Sequence, residues 1–226
     1  MKPLVIAIDG PAGAGKSTVA RKLAERLGLL YVDSGATYRA VALKALKAGV
    51  SPDDEAVVAE LVAGANVQFV VDDSGPRVIL DGEDVATAIR SPEVALAAAK
   101  VSSYPVVRQK MVDLQRSFAR DRGMVMEGRD IGTVVFPKAS LKIFLSAAPE
   151  ERARRRLKDD QQWGQAASLP QTIAAIAQRD QLDKERKLSP LVPAPDAVEI
   201  DSTHLSADQV VARILELVRE RKLIEE

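Results

Sequence analysis

A chain of 226 residues is long enough for one large α/β domain, or for a core domain carrying a smaller insert. Basic and acidic residues both number 32, which argues against a protein whose affinity rests on DNA or RNA, so any anion site is local. Cysteine is absent, which excludes a disulfide framework, a thiolate metal site and a cysteine nucleophile, and fits a reducing, cytoplasmic compartment.

Leu4 to Ile8 is a continuous β-prone run bounded by Pro and Gly, as expected of a strand buried on both faces of a parallel sheet. It is far too short for a signal segment or a membrane span, so no targeting and no membrane partner are expected. After a glycine-rich turn, Val19, Ala20, Leu23, Ala24 and Leu27 recur at helical spacing until Gly28 supplies a stop. Leu29 to Val32 predicts a second strand ending in Asp33, and Tyr38 through Leu46 a helix that stops at Gly49.

From about Gly49 to Tyr104 the alternation breaks. Val67–Val71, a turn at 73–76, Val78–Leu80 and Asp81-Gly82 predict a small β-meander, taken as an insert over 49–104 within a core of 1–48 and 105–226. A helix from about Val106 to Arg120 leads to the strand Met124–Met126, and Leu141–Leu145 forms another buried strand. Two charged helices follow, at about 149–160 and 170–188, separated by a segment of loop composition. Ala197–Ile200 is the last strand. Ser206 then opens a capping box with Gln209, ahead of an apolar stripe of Val210, Val211, Ile214, Leu217 and Val218. Strands and helices alternating in this way imply a parallel sheet covered on both faces, with ligands at the carboxyl ends of its strands.

Gly10-Pro11-Ala12-Gly13-Ala14-Gly15-Lys16-Ser17 fits the Walker A pattern and lies between a predicted strand and a predicted helix, with Thr18 next in line. Its glycines let successive backbone N–H groups point at phosphate oxygens, and the following helix adds a partial positive charge. Lys16 is then expected to reach the β- and γ-phosphates of a bound nucleotide, and the Ser17 hydroxyl to ligate Mg²⁺. Such a loop serves kinases, switches and motors alike. The single asparagine, Asn66, is followed by Val, so the Asn-Lys-x-Asp element by which typical GTPases read guanine is missing.

Three further motifs accompany this loop: Asp33-Ser34-Gly35-Ala36-Thr37-Tyr38-Arg39, Glu127-Gly128-Arg129-Asp130-Ile131-Gly132-Thr133, and Arg179-Asp180-Gln181-Leu182-Asp183-Lys184-Glu185-Arg186. Together they resemble the bacterial cytidylate kinases over nearly the whole chain. The resemblance implies a three-layer P-loop nucleoside monophosphate kinase fold, with a five-stranded parallel sheet flanked by helices. It also implies a small β-containing monophosphate-binding insert and a lid at about 153–170. The activity implied is transfer of the γ-phosphoryl group of ATP, with Mg²⁺, to CMP or dCMP. Apart from the resemblance, the absence of an exposed apolar stripe beyond core patterning predicts a monomer, and the balanced charge and short apolar run predict no nucleic-acid or membrane partner.

Carried over motif by motif, Arg39, Arg129 and Arg186 match the arginines that hold the acceptor phosphate, where guanidinium forks suit a dianion. Arg179 and Asp183 match a ribose-binding pair, and Ser34 lies in a substrate-binding motif. Asp130 and Arg108 match base-reading positions, a carboxylate beside a guanidinium being able to read the amino group, N3 and O2 of cytosine. Ala99 stands where some members of the family carry a polar residue. Arg152 and Arg156, one helical turn apart, could face the migrating phosphoryl group together, with Arg155 a further candidate. Asp33 could orient the Mg²⁺ shell, position the acceptor, or cap a helix. His204 reads as a surface residue, and Trp163 as loop packing.

Overall fold

The computed structural model describes residues 3–72, 75–119, 122–162 and 168–224. Trp163, the middle of the expected lid, positions 73 and 74 of the expected turn and Arg120 lie outside the described residues. In chain order the elements begin with β1 (Val5–Asp9), α1 (Lys16–Leu27), β2 (Leu30–Asp33), α2 (Ser34–Lys47) and α3 (Glu55–Ala63). There follow β3 (Val67–Asp72), β4 (Gly75–Leu80), β5 (Glu83–Asp84), α4 (Pro92–Val101) and α5 (Pro105–Ser117). Last come β6 (Met124–Gly128), β7 (Leu141–Ser146), α6 (Pro149–Gln162), α7 (Leu169–Glu185), β8 (Val198–Asp201) and α8 (Ala207–Glu220). The chain forms two compact units, Met1–Tyr31 with Arg122–Glu226, and Val32–Asp121.

The first unit is built on a five-stranded sheet of order β2-β6-β1-β7-β8, in which β1 pairs in parallel with β6 and β7, and β7 with β8. Every residue of β1 and β6 is buried, which is why both open as apolar runs rather than alternating ones, with Asp9 and Glu127 toward their carboxyl ends. Gly28 ends α1 in the left-handed region at φ 62°, where the Leu29 N–H reaches back to the Ala24 carbonyl at 2.8 Å. Both bonds of the Ser206–Gln209 capping box form at the start of α8. The stripe of α8 meets Val19, Ala20, Leu23 and Ala24 of α1 over the sheet. Leu23 is fully buried in this cluster. We expect Leu23→Ala to cost about 2–5 kcal/mol, seen as a lower urea midpoint at unchanged m-value.

The helix placed at 170–188 ends at Glu185, because Arg186 turns to ψ 128° and leaves it. Between β6 and β7 the segment Ile131–Val135 forms a single π turn, closed by the Phe136 N–H on the Ile131 carbonyl at 2.7 Å, which the sequence did not signal.

The second unit takes in α2 and α5 together with the 49–104 stretch. Its β3, β4 and β5 form the expected antiparallel meander, with Phe69 opposite Val78. The Phe69 ring packs edge-to-face on Phe118 at 5.3 Å. Helices α3 and α4 were not expected. The helix placed at 38–46 starts at Ser34 instead, because the Asp33 carboxylate caps it by accepting the Ala36 N–H. Among the described residues no helix is long and apolar enough to cross a membrane.

Candidate active site

The loop between β1 and α1 turns on its glycines. Gly13 and Gly15 have φ of 75° and 89°, a region that side chains rarely adopt. A Cβ on Gly10 would stand 2.0 Å from the Leu145 carbonyl oxygen, and one on Gly13 2.6 Å from that of Arg152. The backbone at Gly10 and Gly13 therefore lies close against β7 and α6, while Ser17 and Thr18 are exposed on the first turn of α1. No acidic side chain occupies that turn, which leaves the helix N-terminus suited to an anion. Lys16 is buried, and its Nζ donates to the Pro11 carbonyl at 2.7 Å. Burial, and then the Arg129 charge, bring its ammonium down to about 7 against the pull of Glu127, Asp9 and Asp183.

Arg129, at the carboxyl end of β6, donates Nε to Asp183 Oδ2 at 2.7 Å. Arg186 reaches Asp183 Oδ1 at 2.8 Å, and Arg179 the same oxygen at 3.3 Å. Three guanidinium groups from two motifs thus converge on one buried carboxylate. Burial pushes the Asp183 carboxyl up, but these charges outweigh it and hold the group below its ordinary value. Asp130 is buried beside Arg129, at the start of the π turn.

Of the arginines on α6, Arg152 is buried, donating to the Ala12 and Ala147 carbonyls and pairing with Asp180. Arg155 also lies at the loop: it bonds Ser202 through both Nη atoms and reaches the Ala14 carbonyl at 3.5 Å. Arg156 is exposed. Helical spacing identified the face but not which of the adjacent arginines turns inward.

In the second unit, Arg39 pairs with Asp33 at 2.6 Å. Burial raises the Asp33 carboxyl, but Arg39 and the Ala36 N–H more than offset it and hold it low. Asp33 therefore acts as helix cap and arginine partner at once. Ser34 is buried, its carbonyl accepting from Thr37 Oγ1 at 2.7 Å, and Gln115 Nε2 donates to the same Thr37 oxygen at 2.9 Å. Arg108 is buried with Nη1 on the Ser102 carbonyl and its guanidinium 5.6 Å from the Tyr38 ring centre.

Sequence reasoning passed over two buried carboxylates near Lys16. Glu127 accepts the Tyr31 hydroxyl at 2.9 Å, and Asp9 accepts the N–H groups of Ile131 and Gly132 at 2.8 and 2.7 Å. Each sits at or near the carboxyl end of an otherwise apolar strand, and that position was the available signal. Burial raises the Asp9 carboxyl to about 6, despite the two N–H groups that stabilise its charge.

The family model described as cytidylate kinase matches residues 6–220. The cytidylate kinase of Geobacter sulfurreducens is 50% identical over 97% of this chain and 94% of its own length. That of Pelotomaculum thermopropionicum is 52% identical over 93% of each chain. Among solved structures, an uncharacterised protein from Eubacterium ventriosum shares the fold with a TM-score of 0.53 at 10% identity, over 96% of this chain and 98% of its own. Carrying the glycine loop at the end of β1 and the arginine cluster at the end of β6, and matched over residues 6–220, the chain belongs to the cytidylate kinase family.

Proposed function

We propose that the protein transfers the γ-phosphoryl group of ATP to CMP or dCMP, giving ADP and CDP or dCDP. One observation carries this reading beyond the family name. A buried P-loop lysine feels the charge of Arg129, which shares Asp183 with Arg179 and Arg186, so donor-side and acceptor-side cations belong to one electrostatic unit.

Magnesium fits this loop. The Ser17 hydroxyl is exposed on the first turn of α1, and hydroxyl, carboxylate and phosphate oxygens are the hard donors the ion prefers. When bound with ATP it neutralises charge across the β- and γ-phosphates. The backbone of residues 10–18 cradles the donor phosphates, and Lys16 holds the β- and γ-oxygens. Arg129 and Arg186, with Arg39, bind the acceptor phosphate; Arg179 and Asp183 hold the ribose; Asp130 and Arg108 read the base, with Ser34 beside the acceptor. Arg152 and Arg155 brace the loop, and Arg152 and Arg156 stabilise the migrating group. The attacking acceptor oxygen is already ionised at neutral pH, so no general base is required, and catalysis rests on positioning and charge. The same reading has the enzyme act as a cytoplasmic monomer in pyrimidine nucleotide metabolism.

The test is ADP release with Mg·ATP across CMP, dCMP, UMP, AMP and GMP. Turnover is expected with CMP and dCMP well ahead of the others. Equal rates across the panel would defeat the cytosine assignment, and no turnover with any acceptor would defeat the kinase.

A further inference from the structure

We propose that Asp9 is a positioning residue, one that fixes the turn carrying Arg129 and Asp130 in the arrangement needed to bind and read the acceptor. This rests on the CMP reading above. Asp9 is the last residue of β1, opposite Gly128 in the parallel register, and immediately precedes the glycine loop. Its two carboxylate oxygens divide the work: Oδ1 accepts the Ile131 N–H at 2.8 Å and Oδ2 the Gly132 N–H at 2.7 Å. These are the first two N–H groups of the π turn, which as a helix start has no donors' partners of its own. The fit is close, since a Cβ on Gly132 would stand 3.3 Å from Asp9 Oδ2 and 3.1 Å from the Lys142 stem. One side chain thereby ties the root of the donor loop to the segment that presents Arg129 and Asp130.

Both bonds are strongest to an ionised carboxylate, whose two oxygens accept equally. An asparagine of the same shape offers one acceptor and turns its NH₂ group against the second N–H. The fold does not favour that charge: Asp9 is 5% exposed, faces the like charge of Asp130, and is raised to about 6 even with Lys16 nearby. A buried charge held against such opposition is a poor device for stability and a good one for aim.

The experiment compares Asp9→Asn with Asp130→Ala, measuring KM for CMP and for ATP, the CMP-to-UMP ratio of kcat/KM, and the melting midpoint. For Asp9→Asn the KM for CMP should rise roughly 10-fold or more, as for one lost charge-assisted hydrogen bond, with KM for ATP moving far less. Its CMP-to-UMP ratio should fall toward that of Asp130→Ala, with the midpoint changed by no more than a few degrees. Gly132→Ala, which presses the turn away without touching the charge, should reproduce the defect if Asp9→Asn folds poorly. Equal rises in both KM values, or a lower midpoint with CMP binding intact, would overturn the proposal. An unchanged ratio in Asp130→Ala would instead defeat the cytosine assignment, the KM split of Asp9→Asn still deciding the role of Asp9.

Discussion

Lys16→Met is expected to lower kcat by roughly 10³-fold while making the nucleotide-free protein more stable, a pairing that a structural lysine would not give. Methionine keeps the apolar stem and removes the ammonium, the group that burial and Arg129 together bring down to about 7 from 10.5. Below pH 7 the lysine is protonated both folded and unfolded, so the fold bears the whole cost of the buried charge. Between 7 and 10.5 the unfolded chain binds the proton and the folded one sheds it, so stability rises with pH. The stability gap between Lys16→Met and the parent protein should therefore be widest below pH 7 and close as pH approaches 10.5. ATP reverses the situation, since phosphate oxygens beside Lys16 restore its proton. Mg·ATP binding at pH 8 should take up about one proton, little at pH 6, and none in Lys16→Met, as read by calorimetry in buffers of differing ionisation enthalpy. Equal proton uptake by variant and parent would show that Lys16 does not meet the phosphates.

The central strands of the first unit were legible because burial on both faces leaves few choices: β1 and β6 had to open as apolar runs, and they do, while β7 keeps enough of the pattern to be read despite Lys142. The glycine loop was legible because its conformation demands glycine at Gly13 and Gly15. Helix α4 carried a readable signal in Ser91-Pro92-Glu93, an N-cap followed by proline at the first helical position, and Ser91 does accept the Val94 N–H. Helix α3 gave less to read: nine residues, apolar on nearly every side, with Val57 exposed. In the site, the arginines announced themselves through motifs, whereas their partners did not. Asp183 was read as a sugar acceptor, yet what defines it structurally is its contact with Arg129, Arg179 and Arg186. Arg129 and Asp183 lie 54 residues apart, beyond any local pattern. The same holds for Asp9 and Gly132, 123 apart. Local periodicity cannot report a contact made by topology.

Arg129→Ala should lower kcat/KM for CMP by roughly 10²–10³-fold, the cost of truncating a charged partner of a phosphate, while ATP binding is retained. Two further readouts separate this from general damage. Asp183 is held below its ordinary value by three guanidinium groups, the foremost being Arg129, so its contribution to stability is present above the usual carboxylate range and lost as pH falls through the lowered value. Without Arg129 that value rises, and acid unfolding should begin at higher pH. Arg129 also depresses the Lys16 ammonium, so in Arg129→Ala that group climbs back toward 10.5 and proton uptake with Mg·ATP at pH 8 should shrink. Arg129→Lys keeps a charge near Asp183 but not the planar fork, so its acid stability should approach that of the parent while kcat/KM for CMP stays at least about tenfold down. If both variants handle CMP normally, Arg129 is a counter-ion for Asp183 and nothing more, and the acceptor phosphate lies elsewhere.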